Sequence, residues 1–182
     1  MEEQQSPFQA AIKPGLTIGL VSLVLYFVAY FIDSSLLGSA WFGLVSLLIF
    51  IILILYFGKQ YRTEIGGFMT FGTAFNFSFI TMIVSGLVML VGQILLFQVI
   101  DPSLAGVLAD QAFETQMSMM ENFGQDPDAM DPAILEQIRD GAARGFTLSG
   151  QLMAFGISLI VYAIIALILG AILKQRDKSL DY

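Results

Sequence analysis

Cysteine and histidine are both absent from this chain of 182 residues. Without thiols it can form neither disulfides nor thiolate-bound iron–sulfur clusters. Without imidazoles it lacks the commonest general base and the commonest metal ligand. No lysine-bearing phosphate loop is present either, because the glycine-rich stretch 65–72 contains no lysine. We therefore predict a protein that is not an enzyme and has no cofactor and no metal site.

One acidic stretch resembles a calcium-binding loop without meeting its requirements. The sequence DPDAMDPAILEQ, Asp126–Gln137, has Met130, Asp131 and Gln137 at its fifth, sixth and twelfth positions. An EF-hand needs an oxygen ligand, Gly and Glu there. A turn followed by a capped helix explains the stretch better.

Charge is also scarce, since 13% of the residues are charged and 57% are hydrophobic. Average soluble chains carry about 25% charged residues. The net charge is −7, and phosphate contacts need clustered Lys and Arg, so nucleic acid is excluded as a partner. The mean hydropathy of +0.79 indicates a polytopic membrane protein whose first partner is the lipid bilayer.

Four uncharged apolar segments are long enough to cross about 30 Å of hydrocarbon. They lie at about 16–32, 40–57, 74–100 and 148–173. Lipid offers no partner to a free peptide group, so each segment should be helical. The first segment follows the acidic start MEEQQSPFQ, unlike a basic signal peptide, and we expect it to be retained. The prediction is an all-α fold with four transmembrane helices in a single membrane domain, 1–182.

The basic residues predict how the helices are threaded, because Lys and Arg in short flanks mark the cytoplasmic side. Six of the eight basic residues belong to one side: Lys13, Lys59, Arg62, Lys174, Arg176 and Lys178. The turn 33–39 and the loop 101–147 hold only Arg139 and Arg144, against ten acidic residues. We therefore predict cytoplasmic termini, a cytoplasmic turn 58–73 and an extracytoplasmic acidic loop 101–147.

The turn between helices two and three contains the sequence YRTEIGGFMTFGTAF, Tyr61–Phe75. Gly66 and Gly67 allow a sharp bend without steric cost. Arg62 is either a topology signal in a solvated turn or part of a surface offered to a partner. We list Arg62, Gly66 and Gly67 as partner or helix-packing positions.

The loop 101–147 carries two helix-start signals, at Asp101–Pro102 and Asp131–Pro132. In each, Asp can cap a helix whose first residue is Pro. Apolar residues then recur at helical spacing in both halves, which predicts an amphipathic helical hairpin between helices three and four. Its apolar faces would lie on the bundle, on the membrane interface or on a partner.

Polar and small residues inside the spans indicate helix packing. Asn76 and Gln93 should bond between helices. Gly15 and Gly19 form a GxxxG motif, and small residues recur every seven positions in the last span: Gly156, Ala163 and Gly170. Such residues let helices approach closely, either within one chain or between chains.

Three stretches together resemble a known family. They are the turn YRTEIGGFMTFGTAF, the helix opener IDPSLAGVLADQ and the final helix end LILGAILKQRDK. The chain from about Pro14 to Lys178 is similar to the domain-of-unknown-function 4199 family. The resemblance implies a small four-helix inner-membrane protein of Bacteroidota and transfers no catalytic residues.

Two functions remain open, and a third ranks last. The first is a structural or accessory subunit, or an assembly factor, of a membrane complex or a homo-oligomer. The second is a small transporter or channel for a neutral solute or lipid, lined by Asn76, Gln93, Ser85 and Tyr162. A membrane enzyme using loop carboxylates would need strongly perturbed titration, and the loop's exposure argues against it.

Overall fold

The computed structural model describes residues 6–176, and the fold within them is all-α. Its six α-helices are α1 Pro7–Ile32, α2 Ala40–Glu64, α3 Phe71–Leu95, α4 Leu104–Asn122, α5 Pro132–Gly145 and α6 Leu148–Leu173. Short 3₁₀ helices cover Ser34–Gly38 and Pro127–Ala129. A π-helical turn, Leu96–Ile100, continues α3.

Four of these helices are long and apolar enough to cross a membrane: α1, α2, α6, and α3 together with its π-turn. They contain 25 to 30 residues, and at 1.5 Å per residue each spans the hydrocarbon core. Many of their large apolar side chains are exposed, such as Leu20, Ile52 and Ile160. That surface suits lipid rather than water. The prediction of four membrane-length apolar helices in a multi-pass membrane protein is confirmed.

The helices extend beyond the apolar runs that predicted them. Helix α1 begins at Pro7 and α2 continues to Glu64. The non-helical part of the predicted turn 58–73 is therefore only 65–70. Hydropathy marks which residues suit lipid, whereas a helix continues until a residue stops its hydrogen bonding.

Two compact units make up the chain. The first comprises residues up to Leu25, Val45–Met89, and residues from Gly156 onward. The second comprises Tyr26–Leu44 and Leu90–Phe155. Four of the helices contribute residues to both units.

The first unit has two apolar cores. One consists of Ala11, Tyr61, Met69, Ala74, Phe77 and Leu173. The other consists of Ile18, Ile54, Met82, Ala166 and Leu169. The Tyr61 and Phe77 rings stack with their centroids 5.0 Å apart and their planes 14° from parallel. These cores bring parts of α1, α2, α3 and α6 together.

The second unit is built around Leu96, Phe97, Leu104 and Leu108. Leu96 and Phe97 belong to the π-turn and are buried in this core. The hydrogen bond that closes the turn runs from the Asp101 N–H to the Leu96 carbonyl oxygen over 2.8 Å. Phe146, just after α5, packs edge-on against Phe97 with the ring centroids 5.4 Å apart.

Candidate functional site

The end of α2 is closed by the glycine pair that the sequence singled out. Gly66 has φ +99° and Gly67 has φ +86°, a region that side-chain-bearing residues rarely adopt. The Gly67 N–H donates to the Arg62 carbonyl oxygen over 2.8 Å and the Gly66 N–H donates to the Thr63 carbonyl oxygen over 3.2 Å. This is a Schellman motif, which satisfies carbonyls that a helix end leaves open.

The same region is tied to the end of α6. The Arg62 side chain donates to the carbonyl oxygen of Leu173, with an Nη1–O distance of 3.2 Å. Met69 and Gln175 pair through two backbone hydrogen bonds of 3.0 and 2.8 Å. Arg62 thus satisfies one of the carbonyls that α6 leaves open at its C-terminus, which gives it a position in the packing of α2 on α6.

The GxxxG motif of α1 packs against α3 of the same chain. A Cβ on Gly15 would lie 2.6 Å from Val84 Cβ, and one on Gly19 would lie 2.7 Å from Val88 Cβ. The close approach lets Ser85 Oγ donate to the Gly15 carbonyl oxygen over 2.8 Å. The motif therefore acts within the chain, and Ser85 makes a polar contact between the two helices.

Asn76 and Gln93, the two amides predicted to bond between helices, lie elsewhere on α3 than Ser85. Asn76 is exposed on α3, and Gln93 is half-buried in the second unit. Neither side chain makes a hydrogen bond within residues 6–176. The buried polar side chains of α3 are instead Ser78, Thr81 and Ser85. The sequence analysis named Ser85 as a candidate lining residue but did not single out Ser78 or Thr81, because small hydroxyls are common in apolar helices.

The small residues of α6 divide into packed and open positions. Gly170 is buried, and a Cβ there would lie 3.3 Å from the Phe75 N atom of α3. Ala163 is half-buried. A Cβ on Gly156 would meet no atom within 4 Å. Within the first unit, therefore, the repeat packs closely against another helix at Gly170, near the end of α6, but not at Gly156.

A cleft of about 430 Å³ lies in the first unit, between the start of α1 and the end of α2. It is lined by Gln9, Ala10, Lys13, Pro14, Thr17, Phe57, Gln60, Tyr61, Glu64 and Phe77. Its walls carry two opposite charges, and its buried aromatic side is the Tyr61–Phe77 stack. Sequence reasoning missed this cleft, because the predicted first span began at residue 16 and left Lys13 and Pro14 outside the helix.

The second unit holds α4 and α5, joined by residues 123–131. The Asp131 carboxylate accepts from the Ala133 N–H over 2.8 Å, with Pro132 in the first turn. Arg139 on α5 forms an ion pair with Asp110 on α4 over 2.9 Å and lies 5.8 Å from the centre of the Phe113 ring. The helix-start prediction at Asp131–Pro132 is correct.

Two further carboxylates stabilise turns in this unit. Asp101 accepts from the Ser103 hydroxyl, the Tyr30 hydroxyl and the Leu104 N–H. These bonds, the one from Ser103 foremost, hold the pKa of Asp101 below its usual range. Asp33 accepts from Ser35, which lowers the pKa of Asp33 in the same way. Helix α4 begins at Leu104, after a turn that Asp101 closes.

The C-terminal part of helix α4 carries exposed apolar residues. Met119 and Phe123 are exposed, Phe123 to 82%. A cavity of about 660 Å³ lies beside Met119 and Phe123. It is lined by Gly38, Ala112, Thr115, Gln116, Met119, Met120, Phe123 and Gln125. We call the exposed residues Met119 and Phe123, together with the other residues that line this cavity, the α4 surface.

These features define an all-α multi-pass membrane protein whose described polar residues mainly cap helices and join them. The family model described as "Protein of unknown function (DUF4199)" matches residues 13–175, and the chain belongs to this family. No curated protein matches the chain. No solved structure matches it either.

Proposed function

We propose that this protein is a structural or accessory subunit, or an assembly factor, of a complex in a bacterial inner membrane. The observation that carries the proposal is the α4 surface. Val107, Met119 and Phe123 are exposed on a helix outside the four membrane-length helices. Met119 and Phe123 lie about one helical turn apart beside the same cavity. Neighbouring exposed apolar side chains mark interaction surfaces, and methionine adapts to varied partners.

The distribution of charge supports an extracytoplasmic position for this surface. Ten acidic residues fall within the second unit, together with Arg139 and Arg144. The first unit contains the other described basic residues: Lys13, Lys59, Arg62, Lys174 and Arg176. Lys178 lies outside the described residues. By the positive-inside rule both termini are cytoplasmic.

In this proposal α4 and α5 form an extracytoplasmic helical hairpin. The Asp110–Arg139 ion pair and the Arg139–Phe113 contact hold the two helices together. The hairpin presents Met119 and Phe123 to a protein partner or to a second copy of the chain. The resemblance to small membrane proteins of Bacteroidota is consistent with this setting.

Native mass spectrometry after extraction in mild detergent tests the proposal. We expect a stoichiometric complex with other chains or a homo-oligomer, which the double variant Met119→Ser/Phe123→Ser should dissociate. Glu114→Gln is the control, since it changes the same helix outside the residues that line the α4 surface cavity. A wild-type monomer without partners, or a complex that is indifferent to the double variant, would contradict the accessory role.

A small transporter or channel for a neutral solute or lipid is the second candidate, and the buried hydroxyls of α3 favour it. Ser78 Oγ and Thr81 Oγ1 are buried without a hydrogen-bond partner among the described residues, and buried polar groups are usually satisfied. Flux into liposomes that falls with Thr81→Val but not with Thr63→Val, on the exposed end of α2, would support this candidate. Flux that is unchanged by Thr81→Val would remove its basis.

A further inference from the structure

The cleft between α1 and α2 has the composition of a site for a small amphiphilic molecule. Tyr61 and Phe77 are buried and Phe57 is half-buried, whereas the polar residues on its rim are exposed: Gln9, Lys13, Thr17, Gln60 and Glu64. Its volume of about 430 Å³ falls within the range of about 300–1,000 Å³ that small-molecule sites occupy. Both of its walls belong to the first unit.

The two charges on the rim are opposite in sign and are not paired with each other. Lys13 projects from α1 and Glu64 from α2, and both line the cleft. The Glu64 carboxylate accepts a hydrogen bond from the Gln60 amide over 3.2 Å. Within residues 6–176 the ion pair found is Arg139–Asp110. A ligand with one anionic and one cationic group could therefore satisfy Lys13 and Glu64 together.

Pro14 removes the helical hydrogen-bond donor from one carbonyl of the α1 wall. A proline has no N–H, so it supplies no helical hydrogen bond to the carbonyl oxygen four residues earlier, that of Ala10. Ala10 and Pro14 both line the cleft. A primary ammonium group has three N–H donors and could bond to this carbonyl as well as to Glu64. A quaternary ammonium group could not.

We propose that the cleft binds phosphoethanolamine chemistry, with the phosphate at Lys13 and the primary ammonium at Glu64 and the Ala10 carbonyl. The headgroup of phosphatidylethanolamine carries this chemistry, and so does free phosphoethanolamine. The lipid is the better fit, because α1 continues directly from the cleft into exposed apolar residues, Leu16 and Leu20. This inference does not depend on the proposed accessory role.

Native mass spectrometry of purified protein titrated with defined lipids tests the site. We expect phosphatidylethanolamine to bind more tightly than phosphatidylcholine, which lacks ammonium N–H groups, and than phosphatidylglycerol, which lacks the cation. Lys13→Gln and Glu64→Gln should each weaken phosphatidylethanolamine binding about tenfold, the loss expected for one charge-assisted contact. Lys59→Gln is the matched control, because Lys59 is exposed near the end of α2 and does not line the cleft.

Further measurements make the result decisive. The melting temperatures of Lys13→Gln and Glu64→Gln should match that of Lys59→Gln, since the altered side chains are exposed. The exchanged variant Lys13→Glu/Glu64→Lys should recover part of the affinity, because it restores one charge of each sign. Free phosphoethanolamine that competes as strongly as the lipid would identify a soluble zwitterion as the ligand. Equal binding of all three lipids, or equal losses in Lys13→Gln and Lys59→Gln, would overturn the proposal.

Discussion

Single glycines determine how closely α1 and α3 approach. Gly15 and Gly19 place backbone against Val84 and Val88, and the shortened distance brings Ser85 within hydrogen-bonding reach of the Gly15 carbonyl. Close backbone packing of this kind supplies van der Waals contact, which replaces the hydrophobic effect inside a bilayer.

Replacing these glycines should destabilise the protein. Gly19→Ala puts a Cβ 2.7 Å from Val88 Cβ, and overpacking costs about 1–3 kcal/mol. We expect a lower melting temperature in detergent for Gly15→Ala and for Gly19→Ala, measured by circular dichroism. Gly156→Ala is the control, since its Cβ would meet open space. Equal melting temperatures for all three variants would show that the α1–α3 contact contributes no stability.

The glycine pair after α2 acts through backbone conformation alone. No atom lies within 4 Å of a Cβ built on Gly66 or Gly67, yet φ is +99° and +86°. Each change to Ala should therefore cost about 1–2 kcal/mol through backbone strain. Gly72→Ala is matched, because Gly72 also has open space and its φ is not positive. Chemical denaturation should rank both turn variants below Gly72→Ala, and the reverse order would contradict the strain.

At the scale of elements, carboxylates order the turns of the second unit. Asp33 caps the 3₁₀ helix Ser34–Gly38, and Asp101 joins the π-turn to α4 through Ser103 and Leu104. Asp131 caps α5. The turns at Asp33 and Asp101 depend on ionised oxygen acceptors, which makes them sensitive to acid.

The lowered pKa values of Asp33 and Asp101 predict how stability varies with pH. A carboxyl whose pKa is lower in the folded state binds protons more weakly there than in the unfolded state. The stabilisation that such a carboxyl contributes to the folded state is present above the unfolded pKa of about 3.9. It is lost as the pH falls through the folded pKa. Thermal unfolding followed by the fluorescence of Trp41, the single tryptophan, should show this loss between about pH 4 and more acidic values.

The variant Asp33→Asn/Asp101→Asn should be less stable at pH 7 and should lose less stability on acidification than the wild type. Asp140→Asn is the control for charge, since Asp140 makes no side-chain hydrogen bond among the described residues. An acid loss that is identical in the wild type and the double variant would assign it to other groups.

At the scale of the whole molecule, the segregation of charge is the basis for the proposed orientation. Acidic residues concentrate in the second unit, and basic residues other than Arg139 and Arg144 in the first. The positive-inside rule then predicts the proposed topology. The absence of native cysteine allows this orientation to be measured with single introduced thiols.

In intact spheroplasts, a membrane-impermeant maleimide should label Ser118→Cys on α4 but not Thr63→Cys at the end of α2. Both positions are exposed, so a difference in labelling reports the side of the membrane. After the membrane is permeabilised, both should react. Labelling of Thr63→Cys alone in intact cells would invert the proposed orientation.

The sequence by itself determined the membrane-length helices. Uncharged runs such as 148–173 must hydrogen-bond internally in lipid, and α6 covers this range. The helix start at Asp131–Pro132 was also readable, because an N-cap followed by Pro is a local signal. The end of α2 was less readable, since the helix continues past the apolar boundary to Glu64, just before the turn at Gly66.

Only the tertiary structure decided which candidate residues come together. A GxxxG motif is the same in sequence whether it faces its own chain or another, and the contact with Val84 and Val88 assigns it to α3. From the sequence Arg62 is interpreted as a topology signal or a partner position, whereas in the structure its side chain donates to the Leu173 carbonyl oxygen. The cleft needs Lys13 and Glu64 on two helices that are distant in the chain. Each of these contacts depends on which helix faces pack together. Inside lipid, close packing between helices decides this, whereas hydropathy does not.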